Sequence, residues 1–412
     1  MTEQMNVPKL RFGDFSEQPK TLKLIELSED GISNGVFNDP KKVGSGYRLI
    51  NVKDMYETDY VDTGKLTLLD IGAKEFGKNM VRYGDIFFTR SSIVPSGIAY
   101  SNVCLSRSND ITYDGHLMKL SPALSRVDPT YLSYKLRTWP MRTRLIRRGK
   151  QSTMTTIGQA DIADIPVEMP TLPEQQKIAS FLSKVDEKIG LLSGKKDKLT
   201  EYKRGVMQQL FNGKWHEQDG QLTFTPPTLR FKADDGNEFP DWEEKKLGEV
   251  FSISAGGDVD KKHSNKVRTD KFRYPVFANA ETNKGLYGYS DVYKVDQPCI
   301  TVSGRGSLGN ALYRNEAFYP IVRLLVLKPQ FALNLKFFEQ TINKLNIYNE
   351  STGVPQLTAP QLKTYSVLFP STNEQNKIAS FLTLLEQKID LVNSELETAK
   401  EWKKGLLQQM FL

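Results

Sequence analysis

Residues 174–211 read EQQKIASFLSKVDEKIGLLSGKKDKLTEYKRGVMQQLF, and residues 374–411 read EQNKIASFLTLLEQKIDLVNSELETAKEWKKGLLQQMF. The second stretch follows the first by 200 residues, and eight of their first nine positions are identical, among them Glu174/Glu374 and Lys177/Lys377. Their ends agree again at Lys203/Lys403, Gly205/Gly405, Gln209/Gln409 and Phe211/Phe411. A repeat at a fixed offset marks a duplicated structural unit. Within the first copy, Ile178, Leu182, Val185, Ile189, Leu192, Leu199, Val206 and Leu210 recur at alternating spacings of four and three. Within the second, Ile378, Leu382, Leu385, Ile389, Val392, Leu396, Ala399, Leu406 and Met410 do the same. A seam of period 3.5 sustained over this length predicts a coiled-coil helix rather than the face of a short globular one. Lys196, Lys203 and Lys403 interrupt it. Pro173 marks one helix start, and Ser371-Thr372-Asn373 supply cap candidates for the other. About 38 residues at a 1.5 Å rise give a rod of roughly 55 Å. Such a seam must bury itself. The matching seam of the same chain, parallel or antiparallel, is the nearest partner, and a homodimeric coiled coil is the alternative.

Working outward, the duplication continues more weakly. Pro8-Lys9-Leu10-Arg11-Phe12 returns as Pro227-Thr228-Leu229-Arg230-Phe231. An apolar strand that ends in an arginine loop occurs at residues 84–92 (GDIFFTRSS) and again at 299–307 (CITVSGRGS). The layout is therefore globule 1–170, helix 171–212, a Gly- and Pro-rich linker 213–240, globule 241–370 and helix 371–412. Residues 47–52, 85–89, 98–105, 116–120, 299–303, 321–327 and 365–369 are apolar or alternating runs bounded by turn residues, which predicts short strands. Helices are expected at 128–148, opened by Asp128-Pro129, and at about 333–345. The fold class is mixed α/β (α+β), with two globular regions alternating with two long helices that pair as a spacer.

Composition narrows the function. Of the 412 residues, 39% are hydrophobic and 25% charged, the balance of a globular chain able to build more than one core. The net charge of +7 leans toward a polyanionic partner such as nucleic acid. Cys104 and Cys299 each sit in a hydrophobic run, as free thiols of a reducing compartment do. No apolar run approaches bilayer length, and residues 1–9 carry no signal-peptide core. A cytoplasmic location without membrane contact is expected.

Two sets of residues suit nucleic acid. One is cationic: Lys135, Arg137, Arg142, Arg144, Arg147, Arg148 and Lys150 in the first globule, and Lys261, Lys262, Lys266, Arg268, Lys271 and Arg273 in the second. Lysine and arginine neutralise phosphates and release counterions, although a basic run is also an ordinary solvated face. The other set lies in loops. Arg90 with Ser91, and Arg305 with Ser307, follow equivalent strands, where a guanidinium suits guanine or phosphate. Gln151, Ser152 and Thr153, and Thr352 and Gln356, stand in a second loop of each globule and suit hydrogen bonds to base edges; plain turn chemistry is the alternative.

Catalytic motifs are missing. Gly304-Arg305-Gly306-Ser307-Leu308-Gly309 fits G-x-G-x-x-G, but strand-like sequence follows it where a nucleotide site needs a helix. No phosphate-binding G-x-x-x-x-G-K-[ST] loop is present. His116, His216 and His263 do not pair with a cysteine at metal spacing, so no metal site is expected.

The start of each long helix resembles a known family. Pro173-Glu174-Gln175 with Lys177-Ile178-Ala179 and Leu182, repeated as Glu374-Gln375 with Lys377-Ile378-Ala379 and Leu382, resembles the helix signature of Type I restriction–modification specificity subunits. The Gly84–Arg90 run looks like that family's target-recognition domains. The second copy departs from the pattern with Ser371-Thr372-Asn373 in place of Thr171-Leu172-Pro173. The resemblance implies a chain without catalysis of its own, whose two recognition domains each read half of a bipartite asymmetric site in double-stranded DNA. It implies that the paired helices set the gap and dock two methyltransferase subunits, which bring S-adenosylmethionine and modify adenine. It implies, further, up to two motor–nuclease subunits, which bring ATP and Mg²⁺. A fused methyltransferase would need cofactor and base-pocket motifs that are missing. A coiled-coil scaffold would leave the basic runs and the paired arginine loops unexplained.

Overall fold

A computed structural model describes residues 8–150, 154–218, 221–258, 261–280, 282–345, 347 and 356–411. The chain forms two compact units, residues 1–193 with 394–412 and residues 194–393. Each unit therefore holds one globular region and a part of both long helices.

In the first unit a four-stranded antiparallel sheet runs in the order Ser28–Asn34, Leu117–Pro122, Ile86–Thr89, Ser101–Val103. Its central strands are buried along their whole length, and Lys119 within them lies 3.4 Å from Asp85. Beside it lies a three-stranded sheet, Thr67–Leu69, Val43–Ile50 and Ile111–Tyr113. The second unit repeats the larger sheet as Phe251–Ala255, Leu325–Pro329, Cys299–Val302, Ala311–Arg314. In each unit a strand near the start of the globular region pairs with the strand that leads into a long helix: Lys20–Lys23 with Pro166–Met169, and Glu243–Lys246 with Ser366–Phe369.

Local sequence explains where two expected elements differ. The helix expected over 128–148 is two, Pro129–Arg137 and Trp139–Arg148. Pro140 clashes with a continuous helical path, and Thr138 takes extended dihedrals (φ −63°, ψ 150°). The strand expected at 321–327 begins only at Leu325, because Val322 and Arg323 have φ of 53° and 60°, outside the strand region.

The long helices span Leu172–Leu210 and Thr372–Met410, 39 residues each. In the first unit, Ile178, Leu182 and Val185 from the beginning of one helix share a core with Leu406 and Met410 from the end of the other. In the second unit, Val206 and Leu210 share a core with Ile378 and Leu382. The pairing is antiparallel and intramolecular. Leu385 and Val392 are buried, and Ile189, Leu192 and Ile389 are half-buried. The lysines that interrupt the seam have partners. Lys196 donates to Asn393 at 2.7 Å and Lys203 to Glu386 at 2.7 Å, and Lys403 forms an ion pair with Asp186 at 2.6 Å.

The 213–240 stretch, expected as a linker, is partly folded. Lys214–Gln218 and Gln221–Thr225 form a hairpin. Trp215 and Phe224 pack near Trp242, and Trp215 Nε1 donates to the Trp242 carbonyl at 2.9 Å. Burial of these aromatic rings holds a segment whose Gly and Pro content reads as loose chain.

Candidate nucleic-acid interface

The repeated helix signature is a clamp between each long helix and its globular region. In the first unit Glu174 accepts from Arg11 Nε at 2.6 Å and Nη2 at 2.7 Å. In the second, Glu374 accepts from Arg230 Nε at 2.9 Å and Nη2 at 3.1 Å. Gln175 accepts from the Asp128 N–H and donates to the Pro170 carbonyl; Gln375 accepts from the Asn334 N–H and donates to the Pro370 carbonyl. Asp128 and Asn334 are the N-caps of equivalent short helices. Lys177 pairs with Asp14, and Lys377 with Asp234 at 2.6 Å. Leu10 and Leu229 donate their N–H groups to Gln409 and Gln209 in the two units. The signature is thus structural: it fixes each long helix against its own globular region.

Those loops meet where the sequence places the arginines. In the first unit Arg90 is exposed at the end of the buried strand Ile86–Thr89; its N–H donates to the His116 carbonyl and its carbonyl accepts from the Ile157 N–H. Ser91 and Ser92 pair with Thr156 and Thr155. Thr156 in turn exchanges two backbone hydrogen bonds with Lys150, at 2.8 and 3.0 Å. Arg90, Ser91 and Lys150 therefore share one irregular three-segment surface, next to the exposed Arg147 and Arg148 at the end of their helix. In the second unit the exposed Arg305 forms a β-bridge with Gln356, and its guanidinium lies 3.3 Å from the Gln356 side-chain oxygen. Ser307 is exposed in the same loop, and its carbonyl accepts from Ser303 Oγ. Asn279 holds this loop from behind, accepting from the Gly304 N–H at 2.8 Å and donating to the Val322 carbonyl. In both units the arginine loop and the second loop, singled out separately, are hydrogen-bonded neighbours.

The cationic run 135–150 needs correction. Lys135 is 6% exposed, 3.3 Å from Glu168, and donates to the Phe411 carbonyl. Burial lowers its pKa. Arg144 also pairs with Glu168, at 2.9 Å, and Arg137 donates to the Ser101 carbonyl. Arg142 donates to the carbonyls of Ser96, Ile98 and Ala99. These four cations face inward and fasten the fold; their acceptors come from distant sequence, which is why the run alone reads as a phosphate-binding face. In the second unit Lys262, Lys266, Arg268, Lys271 and Arg273 are exposed. Lys266 stands 3.6 Å over the Tyr287 ring and Arg273 5.0 Å over the Tyr274 ring. Gln151, Ser152, Thr153 and Thr352 lie outside the described residues, as does the Lys261 side chain.

Two residues escaped the sequence reading. His116, set aside as no metal ligand, presents a 70% exposed ring beside Arg90, with Nδ1 2.7 Å from Asp114. Asp114 in turn accepts from Asn38 at 3.0 Å. Ile93 is 84% exposed immediately after the Arg90–Ser92 segment. Gly304–Gly309 connects antiparallel strands, Cys299–Val302 and Ala311–Arg314, with no helix following, so it is not a nucleotide loop. Among the described residues no group of three or more His, Cys, Asp or Glu side chains is placed to hold a metal ion. No helix among them is long and apolar enough to cross a membrane.

A duplicated α/β frame that presents two different arginine-bearing loop surfaces, with a shared antiparallel helix pair, defines a class of two-domain nucleic-acid reader. The family model described as the Type I restriction modification DNA specificity domain matches residues 37–201 and 240–401, and the chain belongs to that family. It is 23% identical over 421 residues to the putative type I restriction enzyme MjaX specificity subunit of Methanocaldococcus jannaschii, a match covering 98% of this chain and 95% of that one. A putative type I specificity subunit of Mycoplasma pneumoniae is 25% identical over 68% of this chain and 80% of its own. Another from that organism is 27% identical, over 54% of this chain and 55% of its own length. In fold, the chain is similar to the Type-I restriction-modification system S subunit from M. genitalium, with a TM-score of 0.63 at 16% identity over 98% of this chain and 99% of that one. It is a DNA-specificity subunit, non-catalytic in itself.

Proposed function

We propose that each unit reads one half of a bipartite, asymmetric site in double-stranded DNA, the first through the surface around Arg90, Ser91, Arg147, Arg148 and Lys150, the second through Arg305, Ser307 and Gln356 with the basic segment around Lys262. The observation that carries this reading is the repeated pairing of an arginine-bearing segment with a second loop, Arg90-Ser91 through Ser91 with Thr156 and Arg305 with Gln356, on frames of matching strand order. The frame is kept and the exposed side chains differ, as two different half-sites require. An arginine at a strand end makes bidentate contact with guanine, and the surrounding lysines hold phosphates.

The antiparallel helices set the number of unread base pairs between the halves and dock two methyltransferase subunits. Their exposed apolar residues recur at equivalent positions, Leu191 with Leu391 and Tyr202 with Trp402. An apolar side chain left in water at the same place in both copies fits a partner surface used twice. Those subunits carry S-adenosylmethionine for adenine methylation, and motor–nuclease subunits carry ATP and Mg²⁺ for cleavage. Support for such an assembly comes from a structural neighbour (TM-score 0.55, 14% identity) solved in a study of complex assembly and conformational transition of the type I R-M system. The test is genome-wide mapping of methylated adenine in cells that carry the cognate methyltransferase with or without this chain. Methylation at one two-part motif only when the chain is present is the expected result. Unchanged methylation without it, or a motif in one piece, overturns the reading.

A further inference from the structure

We propose that the Ile93–Val94 tip of the first unit is a wedge that inserts between stacked bases and kinks the duplex within the half-site this unit reads. The inference rests on the proposed reading of DNA by this surface. Ile93 and Val94 are 84% and 56% exposed, although both are β-branched aliphatic residues, and they directly follow Arg90-Ser91-Ser92. They belong to none of the buried clusters of the unit and stand free for a partner to cover.

The tip is held stiffly. Arg142 stands behind it and donates to Ser96 O at 2.9 Å, Ile98 O at 2.6 Å, and Ala99 O. Thr89 Oγ1 donates to the Gly97 carbonyl at 3.1 Å, and the Gly97 N–H closes a turn on the Val94 carbonyl at 3.0 Å. Gly97 has no room for a side chain, since a Cβ there would lie 2.4 Å from Ser92 Oγ. Ala99 is held at φ 49°, a left-handed conformation that a non-glycine residue adopts only when its surroundings impose it. A guanidinium that donates to three carbonyls of one turn fixes the path of that turn, so the tip is presented in advance of any contact.

Its rim is cationic. Ser91 pairs with Thr156, which pairs with Lys150, and Lys150 follows Arg147-Arg148-Gly149. Gly149 lies against the base of the tip, where a Cβ would meet Ile98 Cγ2 at 3.2 Å and Thr155 Cγ2 at 3.0 Å. An aliphatic point with arginine and lysine around it fits a duplex better than an apolar protein surface. The cations take flanking phosphates while the aliphatic side chain replaces stacking at one step, and the unstacked duplex bends away from the insertion. At the equivalent strand end of the second unit, Gly306 and Ser307 follow Arg305, so no aliphatic residue stands directly after that arginine. The wedge is therefore assigned to the half-site that the first unit reads.

The test uses the chain complexed with its methyltransferase subunits and a duplex bearing the mapped motif, with 2-aminopurine placed at one position at a time through both halves. The wild-type complex is expected to raise the fluorescence at one step outside the methylated adenines, in the half that the first unit reads. The rise is lost in the Ile93→Ala/Val94→Ala variant and kept in Ile93→Leu, while the signal at the methylated adenine in the other half persists in all three. A rise that survives the double alanine variant, or no responding step in the wild type, overturns the wedge while leaving the reading intact. Loss of methyltransferase subunits from the double alanine variant, with the step signal unchanged, shows a protein-docking tip and also overturns it. A wild-type complex that does not prefer its motif over a scrambled duplex overturns the reading and the wedge together.

Discussion

Glu374 carries the most concentrated local interaction in the second unit. Its side chain has no exposed surface, it accepts two hydrogen bonds from Arg230, and it takes a third from Trp242 Nε1 at 3.0 Å. Removing one partner of a buried ion pair leaves the other charge desolvated and unpaired, so Glu374→Ala is expected to cost about 3–5 kcal/mol in urea unfolding of this unit. Glu168 ties the first unit together in a similar way. Burial pushes its carboxyl up, but the hydrogen bond from Arg144 and the Lys135 charge outweigh this and hold it below the usual glutamate range. Its contribution is thus present above the unfolded value of about 4.3 and is lost as pH falls through the lower folded one. Glu168→Gln should flatten the acid limb of the stability–pH curve, and an unaltered limb contradicts the assignment. Burial also pushes the Cys104 thiol up to about 11 and the Cys299 thiol up to about 12. Iodoacetamide at pH 8 should label neither until the chain unfolds. The Glu-Gln-Lys signature was legible as a repeat, and so was its partner motif Pro-x-Leu-Arg-Phe. That the two clamp each other was not, because Arg11 and Glu174 are brought together only by the fold.

The helix pair was read mainly from period. Residues spaced four and three apart gave the buried seam, and antiparallel direction followed only from seeing Ile178 share a core with Met410. The lysines read as interruptions are instead register pins. From Lys196 to Lys203 is seven residues forward in one helix, and their partners Asn393 and Glu386 are seven residues back in the other. A polar pair in an otherwise apolar seam specifies alignment at some expense of stability. Both members of the Lys203–Glu386 pair are partly exposed, so a double-mutant cycle should give a coupling of only about 0.2–1 kcal/mol. Leu382→Ala, at a position 1% exposed, should cost about 2–5 kcal/mol by the same denaturation measurement. If the lysine pair couples more strongly than Leu382 contributes, the seam is held by charge and not by packing. The run 135–150 was misread for a related reason. Charge is visible in the sequence, but the inward direction of Lys135 and Arg142 is set by Glu168 and by the 96–99 turn, neither of which is near in sequence.

Across the whole chain, duplication was the strongest signal, since it shows two similar frames without revealing what either frame contacts. The net charge of +7 indicated a polyanionic partner, yet the cations are divided between fastening the fold and facing solvent, and only their acceptors in the fold, distant in sequence, separate the two. The central claim is that residues 241–368 carry one half of the specificity and nothing of the other. The most direct measurement replaces that stretch with the corresponding stretch of a relative and maps methylated adenine genome-wide in cells that carry the cognate methyltransferase. The account predicts a motif in which one half changes while the other half and the gap between them stay as they were. A motif altered in both halves, or in neither, would contradict it.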